Sequence, residues 1–528
     1  MLVKLKIWVP VFLLVIIIAG GTTLRIYGLP SIPRFPLGDS AYYAVQALSL
    51  ITHPRIQFFF PEHTGVEPLF MYLLASFFLI LGKSFMTMKI LVALINIVGI
   101  GLFFLLLREI FGKERHLPII VGTLLYCVSY WVLYINRLPF RVNLLIPFEV
   151  LSILLALRAI RLQRFRDTVL AGLSFGLGFY TYTSFKVNLL PMLALFGGAF
   201  ISRGNSKNRK ETLKHAMIYT LVTFLVALPL IIFLLGNTTD FMFRVNQLSV
   251  FSRHAHPYRV LIENTWRYTQ LIFVEGFSYN FFNQLIASIG LLAVVSCFLI
   301  KLNRGQKNVT TELLILSGFV AFGVIAILIF DFSTYNGYYE SLEIGGLAVF
   351  KILSQVYLIN LIVGRLKNKR ALLALGAIIL LATACFELYR DIKLLNEIYN
   401  DKTAAVKHDS ALTVLDLAQK ADQVYYFDYG YFDAFDVRVQ PIIDFNRQIL
   451  NLPNNIIYIR KSEWGKSLRH LNCEEKRCLA ILPQSEQVLP GVDLKKDSQT
   501  IINLLINGYG GKISNLISGP NNYIIWTN

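Results

Sequence analysis

Eight side chains in the first half of the chain are chemically suited to moving a phosphate-linked group: Asp39, His53, His63, Glu67, Arg137, Arg141, Lys186 and Arg244. Asp39 stands in "FPLGDSAYYA", soon after the first long apolar run. "NRLPFRVN" sets Arg137 and Arg141 four residues apart, and "GFYTYTSFKVN" supplies Lys186. A carboxylate such as Asp39 can take the proton from an acceptor hydroxyl as it attacks an anomeric carbon, work worth about 10² to 10⁴ in rate. Permanently charged, forked guanidinium groups and a lysine suit the leaving phosphate. The set therefore fits transfer of a sugar from a lipid phosphate, with Asp39 as base, Arg137, Arg141 and Lys186 on the phosphate, and Arg244 as a further phosphate ligand.

Each residue also has a plainer reading. Asp39 can be an ordinary loop acid or the N-cap of a helix over "SAYYAVQALSL". Arg137 and Arg141 can bind lipid head groups or close helix ends. His53, His63, His254 and His256, with Glu62 or Glu67, are candidate ligands for a divalent metal, although no tight ligand motif joins them.

The elements that must position these residues lie in a membrane. The 528-residue chain is 55% hydrophobic with a mean hydropathy of +0.56, far above the soluble norm. Eleven apolar runs approach the length needed to cross about 30 Å of hydrocarbon: 7–24, 85–107, 117–135, 144–160, 168–183, 185–201, 216–235, 284–300, 312–330, 347–364 and 371–386.

The net charge of +18 would suit a nucleic-acid binder if it were spread evenly. From Glu387 onward, however, 16 Lys/Arg face 17 Asp/Glu, so the whole excess belongs to the apolar part. There it clusters at Lys4 and Lys6, Arg108 to Arg115, Arg158 to Arg166, Arg203 to Lys214, Lys301 to Lys307 and Arg365 to Arg370. With a cytoplasmic N-terminus, eleven crossings place every cluster on the cytoplasmic side, as the positive-inside rule requires. Asp39, the second external loop, the loop 236–283 and the tail then face outward. A cleaved signal peptide is the rival reading of the first run, and its removal would not change those sides.

The expected fold is therefore a polytopic α-helical membrane protein of about eleven transmembrane helices, residues 1–386, with a C-terminal soluble α/β domain, residues 387–528, outside the membrane. In the tail, "SALTVLDLAQKA" has helical spacing, while "QVYYFDYG", "NIIYIR", "CLAILP" and "YIIWT" read as strands. Its Tyr, Asp and Asn can bind a saccharide or form an ordinary surface. Leu69 to Leu81 is too short to cross and reads as an interfacial helix that admits a prenyl chain. Cys473 and Cys478 are spaced for a local disulfide in an oxidising compartment.

Four segments in order resemble the GT-C membrane glycosyltransferases, in the protein O-mannosyltransferase and aminoarabinose transferase branch. "LRIYGLPSIPRFPLGDSAYYAVQAL" is similar to that family's first external loop with its acidic base. "GVEPLFMYLLASFFLILGKSFMTMKI", "YINRLPFRVNLLIPFEVL" and "LAGLSFGLGFYTYTSFKVNLLP" resemble the segments that follow, over about residues 1–275. The resemblance implies inverting transfer of one sugar from a polyprenyl-phosphate donor to a protein, lipid or glycan hydroxyl at the outer face, with Asp39 as base and Glu67 lining the cavity or binding a metal. Two departures stand out. Ser40 replaces the second acid of the family's Asp-Glu pair, and Arg137, Arg141 and Asn143 occupy a loop that carries an acid in some relatives.

Two other function classes compete. A transporter or flippase of lipid-linked saccharide would put charge within the spans and show related halves, whereas here the charge sits at the span ends. A non-catalytic assembly protein on a transferase fold is the other, and substitution of Asp39 separates it from an enzyme.

Overall fold

The computed structural model describes residues 2–60, 66–203, 206–238, 249–253, 256–273, 281–329, 344–365, 370–400, 402–428, 440–460, 476–484, 502, 505, 512–518 and 521–527. The chain forms two compact units. One comprises Met1–Leu29, Arg55–Leu73 and Lys89–Asn396, and the other Pro30–Pro54, Leu74–Met88 and Glu397–Asn528.

The first unit is helical because its sequence is a series of long apolar runs whose backbone groups must be satisfied within each segment. Its helices are α1 (Leu2–Ile26), α4 (Phe85–Phe111, from Lys89), α5 (His116–Cys127), α6 (Tyr130–Arg137), α7 (Leu145–Leu162), α8 (Phe165–Gly178), α9 (Leu189–Ser202) and α10 (Ser206–Gly236). After these come α11 (Pro257–Phe273), α12 (Phe281–Asn303), α13 (Thr310–Ile329), α14 (Leu347–Arg365) and α15 (Arg370–Tyr399, to Asn396). Each of the eleven expected spans overlaps one of these helices or the pair α5 and α6.

Among the described residues, seven helices are long and apolar enough to cross a membrane, and the α5–α6 pair, bent by 44°, makes an eighth if it counts as one span. The chain is thus a multi-pass membrane protein. Helix α8, at 14 residues, rises only about 21 Å. The expected crossing at 168–183 therefore ends early, ahead of the turn that carries Thr183 and Lys186.

Helix α8 lies flush on α10 because glycines remove the side chains between them. A Cβ on Gly172 would stand 2.8 Å from Val222 Cβ, and one on Gly176 2.7 Å from Val226 Cβ. Where lipid is as apolar as the helix surface, such close backbone approach is a main source of association.

The second unit contains α2 (Gly38–Thr52), α16 (Lys402–Ala418), α17 (Gln440–Ile449) and a five-stranded sheet. The strands are β1 (Gln423–Asp428), β2 (Ile456–Arg460), β3 (Cys478–Gln484), β4 (Lys512–Ser518) and β5 (Asn521–Thr527), in spatial order β2-β1-β3-β5-β4. β2, β1 and β3 are parallel, and the β4–β5 hairpin adds antiparallel to β3. β4 and α17 had no counterpart among the expected elements.

Helix α2 packs against α17. Tyr42, Tyr43, Ala44, Ala47 and Leu48 are buried on α2, and Ile442, Ile443 and Phe445 on α17. Phe35 stacks on His408 at 4.5 Å between ring centroids. The segment that carries Asp39 thus shares a compact unit with the C-terminal sheet. Cys478 is disulfide-bonded, and Cys473 lies outside the described residues.

Candidate functional site

The densest gathering of sequence-predicted site residues surrounds Glu67. Phe60 and Val66 exchange backbone hydrogen bonds of 3.0 and 2.8 Å, which returns the chain to start α3 (Leu69–Leu81). The Leu69 N–H then donates to the Tyr180 carbonyl at 3.1 Å, just beyond the early end of α8. Tyr180 is fixed in turn, since its hydroxyl donates to the Val226 carbonyl at 2.8 Å. Glu67 is thereby set beside the 3₁₀ turn Thr183–Asn188, which leads into α9.

Arg141 opens a second 3₁₀ turn, Arg141–Leu144, which leads into α7. Asn143 braces that turn by donating to the carbonyls of Leu138 at 2.6 Å and Phe140 at 2.9 Å, while its oxygen accepts from Asn96 at 2.8 Å. Because α7 and α8 pack as a hairpin and α9 follows, the starts of α7 and α9 lie at the same end of the helical unit.

Four side chains meet there. Arg141 Nη1 donates to Glu67 Oε2 in a buried ion pair. Lys186 Nζ donates to Oε1 at 2.6 Å. The Thr183 hydroxyl lies 3.0 Å from Oε1 and 3.4 Å from Oε2. The Arg141 guanidinium lies 4.7 Å from the centre of the Tyr182 ring, a cation–π contact that holds its plane. Glu67 and Arg141 are buried, at 2% and 3% exposure, whereas the Lys186 side chain is 35% exposed. A buried carboxylate thus lies between two cations, of which Lys186 is the more exposed.

Arg137 is engaged elsewhere. It ends α6 and donates from Nη2 to the Leu24 carbonyl near the end of α1. Arg25, in the last turn of α1, donates to the carbonyls of Gly21 at 2.9 Å and Cys127 at 3.1 Å, the latter the last residue of α5. Cations at helix C-termini satisfy carbonyls left without intrahelical partners and complement the negative end of the macrodipole. Asp391 on α15 is buried among the charges of Glu387, Arg25, Arg390 and Arg137, and burial together with Glu387 pushes its carboxyl up to about 9.

Asp39, in the second unit, is half-buried at the second position of α2. The N-cap there is Leu37, which makes no side-chain capping bond, so Asp39 is not the cap. It stands in the first turn of that helix, near the positive end of the macrodipole. Ser40, in place of the second acid, is fully buried and donates to the Leu37 carbonyl at 2.8 Å.

His53 closes the same helix, exposed, with its Nδ1 3.0 Å from the Thr52 hydroxyl. Arg244, His63, Glu62 and His254 lie outside the described residues. Among the described residues no three His, Cys, Asp or Glu side chains converge on a metal position. Arg25, Thr183 and Tyr182 were not among the sequence candidates; only the basic residue in the last turn of the first apolar run pointed to Arg25.

Residues 62–233 match the family described as dolichyl-phosphate-mannose-protein mannosyltransferase, a segment that contains Glu67, Arg141 and Lys186. No curated protein sequence matches the chain. Among solved structures, the crystal structure of ArnT from Cupriavidus metallidurans bound to undecaprenyl phosphate superimposes with a TM-score of 0.57 at 12% identity, covering 97% of each chain. The apo form of the same protein gives 0.57 at 12% identity over 99% of this chain and 98% of that one. An oligosaccharyltransferase from Archaeoglobus fulgidus, in complex with Zn and sulfate, gives 0.54 at 13% identity over 95% of this chain and 71% of that one. At such identities the likeness establishes the fold.

Proposed function

We propose that this chain, a membrane glycosyltransferase of the GT-C fold, moves a single sugar with inversion from a polyprenyl-phosphate donor to an acceptor hydroxyl on a protein, lipid or glycan. The observation that carries this reading is the Glu67–Arg141–Lys186 cluster. It gathers two cations around one buried carboxylate at the end of the helical unit where α7 and α9 begin.

With the N-terminus cytoplasmic, the topology argued from charge puts that end at the outer surface. Asp39 is the base: it accepts the acceptor's hydroxyl proton as the new bond forms at the anomeric carbon. Lys186, supported by Arg141, stabilises the phosphate as the old bond breaks, the kind of electrostatic stabilisation that contributes most where water is scarce. The crystallised ArnT holds undecaprenyl phosphate, which supports a prenyl-phosphate donor for a chain of the same fold. The tail from residue 387 shapes acceptor access.

A donor panel tests the reading. Purified protein is given radiolabelled polyprenyl-phosphate sugars and, separately, nucleotide sugars, with membrane extract as acceptor. Transfer from at least one lipid donor and from no nucleotide donor is expected; transfer from nucleotide sugars alone would overturn it.

A further inference from the structure

The segment "PYRVLIENTWRYTQLIF" forms α11, within a stretch that the charge pattern reads as an external loop. At about 100° per residue its side chains divide into three stripes. Asn264 and Tyr268 share one, and both are buried. Tyr258, Ile262 and Trp266 form the second, at 75%, 71% and 63% exposure. Arg259, Glu263 and Arg267 form the third, exposed and turned about 90° from the second. A helix resting on a protein in water needs only two faces, one toward the protein and one toward water. Three stripes call for three surroundings.

The first stripe faces the protein. Asn264 Nδ2 donates to the Ile327 carbonyl at 3.0 Å, and the Tyr268 hydroxyl to the Phe319 carbonyl at 2.6 Å, both on α13. Gly323, between those carbonyls, admits the Tyr268 ring, since a Cβ there would stand 2.7 Å from its Cε1. The Ile272 carbonyl accepts from Gln284 and, at 3.1 Å, from the Ser288 hydroxyl, both on α12. Helices α12 and α13 are each long and apolar enough to cross a membrane. Lys301 and Glu312 join them at their other end, in the basic cluster Lys301 to Lys307. Phe319 lies about 15 Å inside the Ile329 end of α13. Helix α11 is thus bound to the sides of two spans, toward the end remote from that cluster.

This placement decides what covers the second stripe. Where α11 is bound, the spans expose Val320 and Val324 on α13 and Leu285 and Ile289 on α12, surface that in a crossing helix faces acyl chains. Aromatic rings with a polar edge settle at the border between acyl chains and headgroups. Arginine stems lie along apolar surface while their heads reach polar groups. An arginine stripe about 90° from an apolar one is therefore the pattern of a helix lying in that border.

We propose that α11 is an interfacial helix docked on phospholipid at that end of the spans, with Tyr258, Ile262 and Trp266 among the acyl chains and Arg259 and Arg267 on headgroup phosphates. Part of the stretch 236–283 is then membrane-embedded surface and not a loop in solvent. The inference is independent of the transferase reading.

The test uses the full-length protein in nanodiscs and the fluorescence lost on Trp266→Phe, which isolates Trp266 from the other tryptophans. Trp266 is expected to be quenched by phosphatidylcholine brominated on its acyl chains and shielded from iodide in the buffer. Quenching by iodide alone would place the stripe in water, and shielding from both quenchers would place a protein surface over it. Either result overturns the inference.

A comparison on the wild type needs no variant to fold. At low salt, amide hydrogen exchange over residues 257–273 is expected to be slower in phosphatidylglycerol nanodiscs than in phosphatidylcholine ones, by about 5-fold for each arginine engaged. Arg259→Gln combined with Arg267→Gln should abolish that difference at an unchanged thermal midpoint. Equal exchange in both lipids, or a difference that survives the double substitution, takes the arginines off the headgroups and overturns the docking.

Discussion

Arg25 and Arg137 tie α1 to both halves of the α5–α6 pair: Arg25 at the end of α1 donates to the last carbonyl of α5, and Arg137 at the end of α6 donates to the carbonyl of Leu24 in α1. These two bonds hold the bent α5–α6 pair against the first helix. They give Arg137 a structural role, although its four-residue spacing from Arg141 suggests a shared ligand.

Arg137→Gln is therefore expected to destabilise the protein by about 2 kcal/mol, the value of a hydrogen bond to a charged group. Affinity for a lipid phosphate should stay unchanged. Thermal midpoints and binding isotherms on the same preparation check both halves. A loss of affinity with full stability would instead make Arg137 a phosphate ligand.

Arg141 and Lys186 should separate in a stability assay as they do in burial. Arg141→Ala strands Glu67 in the interior and is expected to cost about 3 to 5 kcal/mol. Lys186→Ala removes a half-exposed partner and should cost no more than about 1 kcal/mol. Thermal unfolding of the two variants side by side reads the difference directly.

The Asp391 carboxyl, raised to about 9 by burial and by Glu387, contributes a pH dependence of definite sign. An unfolded aspartate ionises near 4, so between about pH 4 and pH 9 the folded state retains a proton that the unfolded state has lost. Stability is then greatest at low pH and falls as pH rises, by at most about 1.4 kcal/mol per pH unit. Asp391→Asn cannot ionise, and its thermal midpoint should be flatter than the wild type's from pH 5 to pH 9.

Helix α2, which carries Asp39, shares its buried face with α17 of the C-terminal unit. Placing an amide in that face, as in Ile443→Asn, should cost about 2 to 4 kcal/mol locally through lost apolar burial and an unpaired polar group. Hydrogen exchange is the check. Protection should fall over residues 38–52 as well as over 440–449, while α7 to α9 keep theirs.

The parts of the molecule that were legible in the sequence are those set by local pattern. Long apolar runs announced the helices, and the basic clusters gave their expected orientation. The alternating runs around Tyr425 and Ile481 announced strands that are present. β4 escaped because "KISNLIS" is too polar to read as a strand apart from β5, its pairing partner. The α5–α6 bend escaped for a different reason: "YCVSYW" contains neither Pro nor Gly, and the carbonyl freed at Cys127 is satisfied by Arg25, 102 residues away.

The candidate site was legible as an inventory of residue types and not as an arrangement. Glu67, Arg141 and Lys186 were each singled out, but their meeting spans 74 and 119 residues of chain, and no local spacing encodes it. Thr183 was passed over because a single threonine in a "YTYTS" stretch has no signature until Glu67 is placed beside it.

Asp39 remains the residue on which the account turns, and single-turnover transfer from a lipid-phosphate sugar by Asp39→Asn tests it most directly. Asparagine keeps the shape and cannot accept the proton, so the rate should fall by about 10² to 10⁴ while donor binding and thermal midpoint hold. Transfer by the variant within a few-fold of the wild-type rate would contradict the account.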